Sequence, residues 1–541
     1  MNAHAGYALL VILLAVLSLF FAVGPSMAHA ATLSVITAAD TGAGSLRQAI
    51  IDANTGVGPD TITFDTGKPG KCTFFINLTS QLPVLTDDGT TIDGTECNVT
   101  IDGSALPNAT DEGLRVRASD SVILGLTIQN FPEDGMRIQP NGGGTGPAVT
   151  GVVINGNTFT GNLDALRVSG GVGPSNIVEA IIEENTLTQN RDDGMFVIGS
   201  NGNLTDGGND VTVRIRNNTI IGSLGVVTAG LRTGDGIRVL GGAGSSGRGP
   251  NGGNTVHAFI SGNTVRDNAD DGILVAGSGT GAASNHIVHA EITGNDIDNT
   301  GAPEATLANG VVIRGGSTAP LDNLFGGKNN NISFLISNNT IDQSKDAGIF
   351  VPAGLGILND VSGTISENKL ERNGSSGINV NGAGGSFNTI HNISILNNVV
   401  ERNGDHGLLV FGGNGSNNTL SGINVDGNTF KLNEAHGIAL IKAGINNIIS
   451  LIGITNNRTS QNKRDGIFVQ LGVPGSGATP ISGNEVIANR EDGIDLNDIG
   501  YVVSDNEVRG NTGAGIDAVG NTDGGGNIAV GNGSCNAPGC F

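Results

Sequence analysis

The stretch Ile260-Ser261-Gly262-Asn263-Thr264-Val265-Arg266-Asp267-Asn268-Ala269-Asp270-Asp271-Gly272-Ile273-Leu274-Val275 carries a template: Asn, four residues, Asn, three residues, Gly, apolar, any, apolar. The template returns at Asn185/Asn190/Gly194, Asn368/Asn373/Gly377, Asn398/Asn403/Gly407, Asn428/Asn433/Gly437, Asn457/Asn462/Gly466, Asn484/Asn489/Gly493 and Asn506/Asn511/Gly515. Degenerate copies lie around Gly135, Ala165, Gly236, Gly310 and Gly348. Copies are mostly 27 to 30 residues apart, with 36 to 42 between Gly194 and Gly348 and 22 at the end. Self-similarity at this period marks a solenoid.

Each unit holds three short alternating segments. Ile or Val sits three before the first Asn (Ile182, Ile260, Ile365, Ile395, Val425, Ile454, Ile481), and an apolar residue two after it (Leu187, Val265, Leu370, Phe430). A Gly-Ile-x-Val segment follows. Period-two runs this short predict strands that cannot fold alone. Three strands and three turns per repeat predict an all-β parallel β-helix of about thirteen coils, with inward Ile and Val stacked coil on coil. At about 4.8 Å per coil the rod would be roughly 60 Å long. The Asn at the bends are expected to tolerate left-handed geometry and to hydrogen-bond along the axis as ladders. Gly before the third strand permits a sharp corner. No leucine consensus, four-stranded blade signature or tandem nonapeptide supports the other solenoids and propellers.

A solenoid needs its ends covered. Ser45, followed by the apolar spacing of Leu46 to Asn54, predicts a short N-terminal helical cap. Residues 31–110 read as cap and first strands, 111–519 as repeats, and 520–541 as a Gly-rich C-terminal tail over the other end.

Of 541 residues 89 are Gly, none is Trp and only 14% are charged, which excludes helical bundles and coiled coils. Apolar residues at 37% that recur regularly exclude disorder. A net charge of −23 opposes nucleic-acid binding. Residues 8–23 form an apolar run, and Ala28-His29-Ala30 fits a small-x-small cleavage pattern, so residues 1–30 read as a signal peptide. No Lys or Arg precedes the run, so an uncleaved anchor is the alternative. No second span follows, and the mature chain is expected outside the cytoplasm: extracellular, on the cell surface or periplasmic. There the four cysteines can pair, and proximity favours Cys72–Cys97 and Cys535–Cys540.

The segment Ala39-Asp40-Thr41-Gly42-Ala43-Gly44-Ser45-Leu46-Arg47-Gln48-Ala49-Ile50, then Ala53-Asn54 and Asp60-Thr61-Ile62-Thr63-Phe64, resembles the entry segment of exported bacterial β-helix proteins. It is similar to the CSLREA-type domain, with Gly44 in place of Cys and Gln48 in place of Glu. Leu82-Pro83-Val84-Leu85 and Thr91-Ile92-Asp93-Gly94 also match that group. With the repeats, the resemblance implies the pectate-lyase-like superfamily and a right-handed helix. Its members include polysaccharide lyases, hydrolases, epimerases and adhesins, so fold does not settle function.

The residue before the corner position forms a column: Asp134, Asp164, Asp193, Asp235, Asp271, Asn309, Ala347, Ser376, His406, His436, Asp465, Asp492 and Ala514. Stacked carboxylates call for cations or arginines. Three units supply arginine, at Arg137, Arg167 and Arg238. The resemblance to β-helix lyases implies that Asp134, Asp164, Asp193 and Asp235 would hold calcium and the three arginines would serve catalysis. Against that, Asp-Gly is ordinary corner chemistry. The pairs Asp192/Asp193, Asp270/Asp271 and Glu491/Asp492 resemble galacturonase carboxylates but recur with the repeat. His406 and His436 occupy one position in adjacent coils and are expected to stack.

The middle residue of the third strand gives an outward row, basic at the start, apolar through Phe196, Leu274, Phe350, Leu409 and Phe468, and acidic at the end. Either the Gly-rich segments Gly241 to Asn254 and Gly412 to Asn418 cover it, or it is an interface, including one between antiparallel copies of the chain. The sequence therefore favours a non-catalytic protein interacting with a glycan or cell-envelope component. The alternative is a calcium-assisted lyase or epimerase of an acidic polysaccharide.

Overall fold

The structure is a computed structural model that describes residues 30–534 except 57, 68–70, 142–146, 201–206, 229–230, 243–252, 279–284, 303–307, 317–326 and 473–478. The expected signal peptide up to residue 29, the expected Cys535–Cys540 pair and most of the loop from Gly241 to Asn254 lie outside the described residues.

Three parallel sheets of 17, 16 and 14 strands run side by side along one axis. A complete coil contributes one strand to each sheet, and the coils at the ends fewer, so the chain is a parallel β-helix. It has more coils than the thirteen template copies. The additional ones come from segments without the Asn-Gly template, such as Thr32–Val35, Thr61–Phe64 and Cys72–Asn77. At the other end, Thr522–Gly525 and Ile528–Val530 pair with the preceding coil, so the tail extends the helix. The expected helix spans Leu46–Thr55. Ser45 Oγ accepts from the Gln48 N–H, and Leu46, Ala49, Ile50 and Ala53 are buried against the first coils.

Inward residues stack in register. Ile182 pairs with Ile215, then Ile260, Ile292, Ile336 and Ile365, and every one is fully buried. A side chain that fills one coil also covers the next, so burial is continuous along the axis.

The asparagines form ladders, but not as left-handed residues. From Asn157 to Asn527 each backbone N–H donates to the Oδ1 of the Asn one coil on, at 2.9–3.1 Å. The preceding residue takes the positive φ instead: Glu184, Asn217, Asn338, Glu367, Asn397 and Asn456. That single left-handed step turns the Asn side chain inward, where its amide can bridge coils. A second ladder runs through Asn373, Asn403, Asn433, Asn462 and Asn489. A third, unforeseen, passes through Asn209, Asn254, His286, Asn330, Asn359 and Asn388, with the His286 Nδ1 accepting where an Asn oxygen would.

Corner glycines are required by space. A Cβ on Gly272 would lie 2.6 Å from the Gly310 carbonyl oxygen of the next coil. Cys72 and Cys97 are paired neighbours in the second sheet and form a disulfide. Among the described residues no helix is long and apolar enough to cross a membrane.

Candidate functional site

The outward row of the third sheet is in unbroken register from Arg137 through Arg167, Phe196, Arg238, Leu274, Val312 and Phe350. It continues through Asn379, Leu409, Ala439, Phe468 and Asp495 to Asp517. It is not an open stripe. Leu274 is only 7% exposed and Val312 fully buried, which removes Leu274 from the expected interface. Ile198, Leu240 and Ala276 form a small second apolar cluster with Phe196 outside the main core. Phe196, Phe350, Leu409 and Phe468 are half-buried.

The column beside this row is a fourth ladder. Asp164 Oδ1 accepts from the Asp193 N–H, Asp193 Oδ1 from that of Asp235, Asp235 Oδ1 from that of Asp271, and Asp271 Oδ1 from that of Asn309. These carboxylates are buried because they hold the next coil's backbone. Burial and the charge on Asp193 raise both Asp164 and Asp235, and bring Asp192 up to about 6. Burial, with Asp271 alongside, brings Asp270 up to about 8.

The four Asp expected to share a cation are distributed over separate groups. Asp134 pairs with Arg137 at 2.7 Å, and Glu112 closes on the same guanidinium at 2.6 Å. Asp164 and Asp193 converge with Asp192, while Asp235 converges with Asp270 and Asp271. A third acidic group is Asp492, Asp495 and Asp517. Each of the three groups could hold a metal ion. Arg238 reaches between the first two, 3.5 Å from Asp193 and 3.9 Å from Asp235. Arg167 and Arg238 sandwich the Phe196 ring at 4.6 and 5.4 Å from its centroid. Arg137, Arg167 and Arg238 are thus all engaged within the protein.

Toward the C-terminal end the same sheet opens into a groove of about 670 Å³. His406 stacks on His436 at 5.2 Å, and His436 on Phe468 at 4.7 Å. The alternating coil register dictates this column of rings, since His406 and His436 take the ladder position and Phe468 the adjacent outward one. Burial, then the charges of His436 and Arg464, brings His406 down to about 3. His436 Nδ1 lies 3.2 Å from the Asp465 N–H and 3.1 Å from Asp465 Oδ2, accepting from the first when unprotonated and donating to the second when protonated. Arg464 and Arg490 line the groove with both guanidiniums exposed. In the same lining, burial and the surrounding carboxylates bring Asp495 up to about 6. Sequence reading missed Arg464 and Arg490, although Arg464 stands directly before Asp465 of the acidic column and Arg490 two residues before Asp492.

Residues 88–323 match the family described as right-handed β-helix region, which gives the helix its hand. No curated protein matches the chain in sequence. Among solved structures it resembles the Dettilon tailspike protein at 14% identity, over 76% of this chain and 63% of that one, with a TM-score of 0.41. The catalytic unit of a GH87 α-1,3-glucanase from Streptomyces thermodiastaticus is similar at 15% identity, over 94% and 70%, TM-score 0.41. The A-module of the Azotobacter vinelandii mannuronan C-5 epimerase AlgE6 is similar at 13% identity, over 93% and 99%, TM-score 0.28. The three parallel sheets together with the family match make the protein a right-handed parallel β-helix.

Proposed function

We propose that this is an exported β-helix that binds a polysaccharide, without cleaving it, in the third-sheet groove. The observation that carries the reading is the combination found there: a 670 Å³ open groove, a ring column ending at Phe468, and two exposed arginines sharing the lining with carboxylates. Rings supply the apolar contact, and mixed donors and acceptors suit sugar hydroxyls. The Asp and Arg residues between Asp134 and Arg238 support a structural role, because ladder bonds and mutual ion pairs already engage them. Arg238 also supplies the positive charge that calcium would bring to the first two acidic groups. If calcium takes part, Asp492, Asp495 and Asp517 suit it better, since they adjoin the groove.

One observation favours the rival reading of a lyase or epimerase acting on an acidic polysaccharide. His436 beside Asp465 is an imidazole oriented by a carboxylate, with Arg464 near enough in the groove to meet a sugar carboxylate. A glycan array probed with and without calcium tests the proposal. Retention should fall sharply in Phe468→Ala and Arg464→Ala and persist in Arg167→Ala. Retention unchanged in both groove variants would remove the groove as the binding site.

A further inference from the structure

A second groove, of about 440 Å³, opens on the outer face of the first sheet. A bulge helps to shape it. Gly151 has φ 71°, and the pairing of Ala148–Asn155 with Ile177–Glu183 shifts register between Val149 and Val152. Two outward rows floor the groove: Glu179, Thr212 and His257 in one, and Ile181, Arg214 and Phe259 in the other. The Arg214 guanidinium lies over the Phe259 ring, 4.8 Å from its centroid. Glu179 and Arg214 are both exposed, opposite in sign and on adjacent strands. Among the described residues neither forms an ion pair, whereas the next outward arginine, Arg216, pairs with Glu183.

We infer that this groove is a second binding site, for a neutral saccharide. Arg214 donates to one ring hydroxyl and Glu179 accepts from its neighbour, with both hydrogen bonds charge-assisted. Thr212 and His257 add further polar contacts, and Ile181 meets the apolar face of the sugar ring. A uronate is disfavoured here, because its carboxylate would meet Glu179 in a chain of net charge −23. The two grooves lie on different sheets. Seven coils separate Ile237–Leu240 from Ile467–Gln470, about 34 Å along the axis at ~4.8 Å per coil. One rod can therefore hold two sugar chains at once and gain avidity on a polymer.

This site uses none of the side chains of the third-sheet groove, so the two stand or fall separately. The test is calorimetric titration of the full chain with cello-, chito-, malto- and laminarihexaose. At least one should bind, with affinity falling about tenfold or more in both Arg214→Ala and Glu179→Gln and holding in Phe468→Ala. An oligogalacturonate of equal length should not compete at this site. Both variant positions are exposed, and unchanged melting would confirm that the variants fold. No binding of any neutral hexamer, affinity in the Arg214 and Glu179 variants unchanged from the unmodified chain, or full competition by oligogalacturonate would overturn the inference. Loss confined to Phe468→Ala would also overturn it while leaving the third-sheet reading intact.

Discussion

Replacing Asn398 by alanine removes one rung from the longest ladder. Its Oδ1 accepts from the Asn368 N–H at 2.9 Å and from Asn368 Nδ2 at 3.0 Å. Its own Nδ2 donates to the Ile365 carbonyl and to Asn428 Oδ1, both at 2.9 Å. All three asparagines are 1% exposed, so water cannot replace the lost partners. Alanine orphans two buried donors, at about 1–3 kcal/mol each, for a local cost of about 4 kcal/mol. Neighbouring coils of a solenoid open semi-independently, so the loss is best read locally by hydrogen exchange. Amides of the strands Lys369–Glu371 and Val399–Glu401 should exchange on the order of 10³-fold faster than in the native protein. Asn379→Ala, an outward residue of the third sheet, is the control and should change stability by less than about 0.5 kcal/mol. Equal exchange in the two variants would refute the ladder as a source of stability.

Other substitutions report on other parts of the account. Ile273→Asp places an unpaired charge at a fully buried position and should cost about 3 kcal/mol or more, seen as an earlier denaturant transition. His286→Asn keeps the ladder and removes a buried Nε2 that has no partner among the described residues, so thermal melting should rise by the equivalent of about 1 kcal/mol. Burial lowers His286 from 6.5 to about 4. Its neutral form therefore contributes fully above pH 6.5, and stability is lost as pH falls toward 4, a loss the Asn variant should not show. Asp270 has the opposite sign. Its folded value of about 8 lies above the unfolded 3.8, so native stability declines from about pH 4 to pH 8, and Asp270→Asn should stabilise increasingly over that window in a pH series of melts.

The inward Ile and Val columns, the corner glycines, the helix after Ser45 and the Cys72–Cys97 pair were all legible in the sequence, because each leaves a fixed spacing or a local signature. The third Asn ladder was not foreseen, although it leaves a trace. Asn209, Asn330, Asn359 and Asn388 each stand two residues before an apolar strand position, but variable loops precede them and hide the period. The positive φ was assigned to the ladder Asn when it belongs to the residue before, such as Glu184 or Glu367, whose type varies because only its backbone matters. The expected cation cluster of Asp134, Asp164, Asp193 and Asp235 follows from reading one column. The carboxylate positions depend also on Glu112, Asp192 and Asp270, which lie outside that column. The grooves were not legible at all. The first-sheet groove is shaped by a bulge at Gly151, which leaves no periodic trace.

The most direct test of non-catalytic polysaccharide binding is the chain length of a retained polysaccharide. The protein would be incubated to saturation, with and without calcium, against each glycan it retains, and the bound polymer recovered and sized. The account predicts full retention through the Phe468 groove with chain length and uronate composition unchanged after prolonged incubation. Shortened chains, unsaturated ends or inverted uronates that disappear in His436→Gln would contradict it and establish the enzyme in its place.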